Sequence, residues 1–367
     1  MQRRALASLL AALPVALPVA GALARPAAAQ TPAAPTLAPA PAGWRRFELT
    51  TRVTLPDGPG PAQLWLPLAQ TAGGYQAGLD LRWDSAARGG VVQDARYGAS
   101  LLKLDWAAEH AGPRSLELVQ TVATRDRQGV ATGLPATSAE RAFWREPTES
   151  VPVDGIVKAT AERITAGITE PRARLRALYD WVVDNTARNP ETPGCGIGDV
   201  RGMLESGNLS GKCADINGLM TGLARAAGFP ARDVYGIRAV PSAQFRTLGA
   251  TSADVSKAQH CRAEAYLEGE GWFPLDPADV RKVVLDHKLA VDSPEIRALR
   301  EKLFGHWEMN WVGFNSATDI VLPGALGQQK PNFAFLMYPC AFTPAGQPDC
   351  LDPSSFRYAI TAREVIA

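Results

Sequence analysis

Three side chains that together can carry out nucleophilic catalysis follow one another along the chain. They are Cys213 in the segment GKCADINGLM, His260 in QHCRAEAY and Asp276 in WFPLDP. Only about 3% of an ordinary thiol with a pKa near 8.5 is ionised at pH 7. A helix N-terminus and a neighbouring imidazolium both raise that fraction, and a carboxylate holds the imidazole in a productive orientation. The order and types of these residues therefore fit an activated thiol.

The thiol is predicted to lie at the start of a helix. Apolar residues follow Cys213 at the spacing of one buried helix face, and Gly228 and Pro230 come where the pattern ends. Unpaired backbone N–H groups in a first helical turn favour an anion, so this position favours a thiolate. The predicted buried face comprises Ile216, Leu219, Met220, Leu223, Ala224 and Ala227.

The imidazole is predicted to lie on a strand. Residues 260–267 alternate with a period of two, which places His260 on one face with Arg262 and Glu264. The opposite face, which begins with Cys261, is predicted to be the buried one. A turn over 268–271 then leads into a return strand.

The distance from the imidazole to the carboxylate depends on the register of this hairpin. If Leu267 pairs with Trp272, Asp276 falls opposite residue 263, roughly 10 Å along the strand from His260. A bulge, a strong twist or the break at Pro274 must then close the gap. Other carboxylates remain as alternative partners for the imidazole, namely Asp279, Asp286 and Glu264.

These segments resemble the transglutaminase-like superfamily of papain-type thiol enzymes. The matching stretches are 211–232, 235–236, 260–266 and 271–277. The resemblance implies that Cys213 is the nucleophile, His260 the general base and acid, and Asp276 the orienting carboxylate. Its members include cross-linking enzymes, peptidases, amidases and proteins without activity. It therefore implies acyl chemistry at peptide or protein amides, and we favour hydrolysis modestly over cross-linking because no second-amine site is evident.

The chain departs from the family pattern at one position, and one function in the site is unassigned. Family members often carry an aromatic residue two places after the histidine, where this chain has Arg262. Arg262 either approaches the substrate path or pairs with a carboxylate such as Glu264. Beyond the backbone N–H of Cys213, the candidates for oxyanion or substrate contacts are Gln259 and Trp181.

Other kinds of protein are compatible with the same residues. One alternative is a non-catalytic binding or assembly module that keeps the fold, and another is a redox protein that uses Cys195 and Cys213. A zinc site built from Cys195, Cys213, Cys261 and His260 is disfavoured, because no Cys-x-x-Cys or His-x-x-x-His spacing occurs. The predicted chemistry requires no metal or organic cofactor. Cys340 and Cys350 flank a Pro/Gly-rich loop and are a candidate disulfide pair.

Composition and the N-terminal residues indicate the class of protein and the compartment in which we expect it. The chain has 367 residues, 46% hydrophobic and 20% charged, which is typical of a globular protein of about two domains. A net charge of +1 gives no indication of a nucleic-acid partner. Paired arginines followed by an Ala/Leu/Pro-rich run predict an export signal over 1–30, of the Sec or twin-arginine type, and hence a periplasmic or secreted protein. The alternative is an uncleaved anchor, which two prolines within the run weaken; after signal removal we expect no stable membrane insertion.

The remaining chain is predicted to form an α+β protein with a sheet-rich N-terminal region. After a disordered linker over 31–43, short alternating strands over 44–140 predict a β-sandwich-like domain. Helical periodicity followed by a small antiparallel sheet predicts a papain/transglutaminase-like core over 145–294. Residues 295–367 are predicted to be an extension packed on that core, with strand-like segments at 333–338 and 356–360.

Overall fold

The computed structural model describes residues 43–72, 74–129, 135–326, 336–352 and 356–365. The predicted export signal and all of the predicted linker except residue 43 lie outside the described residues. Within the described ranges, no helix is both long enough and apolar enough to cross a membrane.

The described residues form sixteen strands and seven α-helices, together with a 3-10 helix at Arg246–Leu248. The strands are β1 (Arg45–Thr54), β2 (Ala62–Pro67), β3 (Gln76–Asp84), β4 (Arg88–Gln93), β5 (Ser100–Trp106), β6 (Ser115–Thr124), β7 (Arg127–Gln128), β8 (Ala187–Arg188), β9 (Ser210–Gly211), β10 (Ala231–Arg238), β11 (Gln259–Leu267), β12 (Gly271–Leu275), β13 (His306–Trp307), β14 (Trp311–Asn315), β15 (Cys340–Phe342) and β16 (Tyr358–Glu364). The helices are α1 (Ser138–Phe143), α2 (Gly155–Thr165), α3 (Pro171–Asn185), α4 (Val200–Ser206), α5 (Cys213–Ala226), α6 (Pro277–Asp286) and α7 (Pro294–Leu303).

Two four-stranded antiparallel sheets make up the N-terminal region. Their strand orders are β16-β1-β6-β3 and β15-β2-β5-β4. Alternate apolar side chains from both sheets are buried in a common core, for example Leu49 of β1, Leu64 of β2 and Leu118 of β6. This arrangement confirms the predicted α+β class with a sheet-rich N-terminal region, because the period-two pattern of each strand gives it one apolar face.

The C-terminal residues complete three sheets. β14 pairs with β10 in the core sheet, whereas β15 and β16 form edge strands beside β2 and β1. The prediction of a strand through Leu336–Tyr338 was wrong, because these residues are buried without strand structure and β15 begins only at Cys340. A short apolar run indicates burial, but it does not by itself distinguish a strand from an irregular buried segment. The rest of that predicted strand, 333–335, lies outside the described residues.

Helix α5 lies at the centre of the core. It packs on the antiparallel sheet β12-β11-β10-β14 and also contacts α2, α3, α4 and α6. The predicted helix start at Cys213 is confirmed, but burial is far wider than one stripe, since every residue from Cys213 to Arg225 is buried. Its polar residues Asp215 and Asn217 are buried because they bond to loops and to the neighbouring helix rather than to water.

The β11–β12 hairpin has a register one residue from the predicted one. Leu267 pairs with Gly271 rather than Trp272, and Ala263 pairs with Leu275. Asp276, the next residue, is therefore level with Arg262 and two residues from His260 instead of three. Period-two alternation puts positions two apart on the same face, so the carboxylate reaches the imidazole without a bulge in this ladder.

Both faces of β11 are buried, so the prediction of a single buried face was wrong. The face that carries His260 and Arg262 is covered by the indole rings of Trp307 and Trp311. Period-two alternation of polar and apolar residues predicts one solvated face, and here buried ion pairs and aromatic rings replace the solvent.

Candidate active site

The N-terminus of α5 is anchored by a buried carboxylate. Asp215, two residues after Cys213, accepts hydrogen bonds from the backbone N–H groups of Lys212 (2.9 Å), Ile197 (3.1 Å) and Gly198 (3.0 Å). Gly196 has a φ of +96°, and a Cβ atom there would lie 1.9 Å from the Asp215 carboxylate. Only glycine therefore fits a loop that closes on the helix beside Cys213.

The imidazole and the predicted orienting carboxylate are in direct contact. His260 Nε2 lies 2.9 Å from Asp276 Oδ2, and both side chains are almost fully buried. Asp276 is the N-cap of α6, where its Oδ1 accepts from the backbone N–H of Asp279 (3.1 Å). Asn217 Nδ2 donates to the same Oδ1 over 3.2 Å, which ties α5 to the carboxylate. The sequence alone gave no reason to single out Asn217.

The backbone of His260 is held from its other side. Trp311 Nε1 donates to the His260 carbonyl oxygen over 2.8 Å. The neighbouring strand β10 carries Gly236 opposite His260, and a Cβ atom at 236 would lie 2.5 Å from the Trp311 ring. The glycine thus leaves room for the indole. Nothing in the sequence ties the indole N–H of Trp311 to the histidine.

Hydrogen bonds and nearby charges shift the pKa of the thiol and the imidazole in the directions that favour an ion pair. The pKa of Cys213 is held well below its ordinary value by hydrogen bonds from the Cys195 and Cys261 thiols and from His260, which outweigh burial. Burial and Arg238 lower the pKa of His260, but nearby carboxylates outweigh them and its net pKa is raised. Because Nε2 faces those carboxylates, Nδ1 is the ring nitrogen left for the thiol.

The contact between Cys213 and its neighbours creates a cluster of three buried thiols. Cys195, Cys213 and Cys261 are free cysteines. Cys195 also donates to the Gln259 carbonyl oxygen over 3.2 Å. The pKa values of Cys195 and Cys261 are raised well above the ordinary value, by the hydrogen bond to Cys213 in the first case and by burial in the second. Negative charge in the cluster is therefore concentrated on Cys213, the member at the helix N-terminus.

A cleft of about 340 Å³ reaches the cluster. Its walls include Cys195, Lys212 and Gln259, so it borders the residues that directly precede Cys213 and His260. Tyr338 and Leu351 from the C-terminal region also line it. This cleft is the candidate substrate entrance.

The two candidate oxyanion or substrate side chains lie in different places. Gln259 lines the cleft, with its Nε2 donating to the Ser256 carbonyl oxygen over 3.1 Å. Trp181 lies on α3, where the Arg163 guanidinium of α2 is 5.9 Å from its ring, and it is not part of the cleft wall. Proximity therefore favours Gln259.

Arg262 pairs with a carboxylate, though not with Glu264. Its Nε is 3.5 Å from Asp276 Oδ2, and its Nη1 donates to the Glu308 carbonyl oxygen over 2.8 Å. Glu264 instead bonds to Arg127 and Arg232. Arg262 is only 3% exposed and does not line the cleft, so its position is behind the imidazole rather than on the substrate path.

The donor set behind the imidazole does not favour a metal ion. Ligand atoms of His260, Asp276 and Asp279 lie within 4.8 Å of one another. Arg238 donates to both oxygens of Asp279, however, and Arg262 lies beside Asp276, so two guanidiniums already supply the positive charge that a cation would bring. Within the described part of the chain, the three clustered cysteines form no comparable group with His260.

Comparison with known proteins defines the class. The family model of the transglutaminase-like superfamily, core domain, matches residues 158–277, which include Cys213, His260 and Asp276. An uncharacterized protein of Haemophilus influenzae is 34% identical over 340 residues, covering 87% of this chain and 91% of that protein. The chain belongs to the transglutaminase-like superfamily.

A solved structure of similar fold supports this architecture. A proposed cysteine protease from Cytophaga hutchinsonii aligns with a TM-score of 0.51 at 15% identity, over 88% of this chain and 99% of that one. The periplasmic domain of TgpA from Pseudomonas aeruginosa aligns with a TM-score of 0.36 at 16% identity, over 69% of this chain and 92% of that one. The first of these likenesses extends beyond the core to the N-terminal sheets, since it covers most of the chain.

Proposed function

We propose that this chain is a cysteine-dependent enzyme that acts on amide bonds of peptides or proteins. The observation that carries the proposal is the 2.9 Å contact of the His260 ring with Asp276, together with the position of Cys213 at the start of α5, where His260 and two neighbouring thiols lower its pKa. A thiol at a helix N-terminus, an imidazole and a bracing carboxylate are the parts that nucleophilic acyl transfer requires.

The proposed reaction proceeds through a thioester. His260 takes the proton of Cys213, and the sulfur attacks the carbonyl carbon of the amide to form a tetrahedral oxyanion. The backbone N–H of Cys213 and the amide of Gln259 are the candidate donors to that oxyanion. His260 then gives its proton to the leaving nitrogen as the C–N bond breaks. Water attacks the thioester next, which releases a carboxylic acid and restores the thiol, and the cycle requires no cofactor.

Two finer features belong to the same proposal. Hydrolysis is favoured modestly over cross-linking, because the sequence gives no evident second site for an amine. The basic and apolar N-terminal sequence supports export, which would place the enzyme and its peptide substrates in the periplasm or outside the cell.

A peptide library tests the reaction directly. The mature protein is incubated with unmodified peptides, with and without an added primary amine, and products are read by mass spectrometry. Hydrolysis predicts cleaved or deamidated peptides that do not depend on the amine, whereas cross-linking predicts amine-ligated products. The Cys213→Ser variant is the control and should turn over no peptide. Equal turnover by this variant, or no turnover of any peptide by the native protein, would contradict the proposal.

A further inference from the structure

His260 faces two carboxylates rather than one. Its Nε2 is 2.9 Å from Asp276 Oδ2 and 3.5 Å from Asp279 Oδ1. Asp276 and Asp279 are both almost completely buried, at 0% and 2% exposure. Two carboxylates placed together away from water repel each other strongly unless cations compensate them.

Each carboxylate has its own buried arginine. Arg238 of β10 donates to Asp279 through Nη2 (2.5 Å to Oδ1) and Nη1 (3.2 Å to Oδ2). Arg262 of β11 places its Nε 3.5 Å from Asp276 Oδ2 and stacks 4.8 Å from the centre of the Trp311 ring. Nε of Arg262 donates no hydrogen bond within the described part of the chain, so the carboxylate is its nearest counter-charge.

The buried charges favour one protonation state of the thiol and the imidazole. The elements packed around His260 contribute Cys213 from α5, Arg238 from β10, Arg262 from β11, and Asp276 and Asp279 from α6. With the imidazole protonated and the thiol ionised, the group holds three cations and three anions. The neutral thiol and imidazole leave two of each. Both states are neutral overall, but only the first gives each carboxylate a cationic donor in addition to its arginine and sets the imidazolium beside the thiolate.

We propose that Asp279 is a second positioning carboxylate for His260, and that Arg238 and Arg262 keep the two carboxylates ionised. This inference rests on the proposed function, because the role of these four side chains is to hold the imidazolium next to the nucleophile. The pKa direction of Asp279 agrees with it. The pKa of Asp279 is lowered, since Arg238 and His260 outweigh burial, whereas burial and Asp279 raise that of Asp276. Asp279 is therefore the more firmly ionised partner, and both carboxylates position the His260 ring.

Labelling of Cys213 with iodoacetamide across pH tests the proposal, with the labelled residue identified by mass spectrometry. Removal of a carboxylate makes the imidazolium less stable, so the pH midpoint of labelling should rise. We expect Asp279→Asn to raise it by about half a unit or more, Asp276→Asn to raise it further, and the double variant to bring it to the ordinary thiol value near 8.5. Arg262→Gln should also raise it, because an uncompensated Asp276 takes up a proton.

Arg127→Gln is the matched control for Arg262→Gln. Arg127 is equally buried and stacks on Trp307, one of the two indoles beside Arg262, but it pairs with Glu264. The Arg127→Gln variant should unfold at a lower temperature than the native protein but keep the native pH midpoint of Cys213 labelling.

The native protein itself supplies a measurement that does not depend on folding of the variants. A ¹⁵N-histidine NMR titration should find the His260 ring still protonated well above pH 6.5, the ordinary histidine value. A ring that titrates at the ordinary value, or an Asp279→Asn profile identical to the native one while Asp276→Asn alone loses the low midpoint, would overturn the second-carboxylate role. Labelling of the native protein like a free thiol would instead contradict the proposed function.

Discussion

Asn217 Nδ2 donates to Asp276 Oδ1 over 3.2 Å, and this bond joins the helix that carries the thiol to the residue that braces the imidazole. The same amide nitrogen donates to the Cys261 carbonyl oxygen over 2.8 Å, and the amide oxygen accepts from the Ala278 backbone N–H at 3.3 Å. One side chain on α5 thus contacts both the start of α6 and the residue that follows His260 on β11.

Asn217→Ala should therefore weaken both the fold and the site. It leaves buried donors and acceptors without partners, which costs about 1–3 kcal/mol each, so denaturant unfolding should show a clear loss of stability. Peptide turnover should fall even in protein that remains folded. The control is Asn208→Ala, which removes an exposed amide from the loop before β9. Native-like turnover in folded Asn217→Ala would show that Asp276 needs no tie to α5.

Trp311→Phe tests the hydrogen bond that holds the His260 backbone. The substitution keeps most of the ring and removes the indole N–H that donates to the His260 carbonyl oxygen. A small displacement of a reacting group lowers rates steeply, so we expect peptide turnover to fall roughly 10- to 100-fold. Trp65→Phe is the control, because Trp65 lies on β2 in the N-terminal region, is equally buried, and also donates its indole N–H to a backbone carbonyl oxygen, that of Pro323. Equal losses of turnover in the two variants would point to a general stability effect.

Gly196→Ala tests the close packing beside the helix N-terminus. A methyl group there would collide with the Asp215 carboxylate, and the φ of +96° is already unfavourable for alanine. We expect a loss of roughly 2–4 kcal/mol in unfolding free energy together with slower labelling of Cys213. Gly207→Ala separates the collision from the backbone strain, because Gly207 has a φ of +69° and nothing lies within 4 Å of the new methyl group. It should lose only about 1 kcal/mol and should keep native labelling.

The parts of this site that could be predicted from the sequence are those encoded by local patterns. The helix start at Cys213, the strand at His260 and the carboxylate at the end of the next strand all follow from periodicity and turn residues. The family pattern then assigns the three residues to one site. The described structure places His260 against Asp276 and Cys213 at the start of α5.

The parts that could not be predicted depend on contacts between elements distant in sequence. A hairpin register is set by the turn, and an error of one residue moved Asp276 away from the ring. The pairing of Arg262 with Asp276 depends on that register. Asn217, Trp311 and Arg238 act across element boundaries, and no spacing along the chain relates them to His260. The export signal and the domain borders remain predictions.

The most direct test of the central claim is the pH dependence of Cys213 alkylation in the native protein and in His260→Ala. A thiol with a lowered pKa becomes thiolate at a lower pH, and an imidazole with a raised pKa stays protonated to a higher pH, so the ion pair spans the interval between them. The account predicts rapid labelling of the native protein with a midpoint well below 8.5, and a midpoint that returns towards 8.5 in His260→Ala. A native midpoint near 8.5 that His260→Ala leaves unchanged would contradict it.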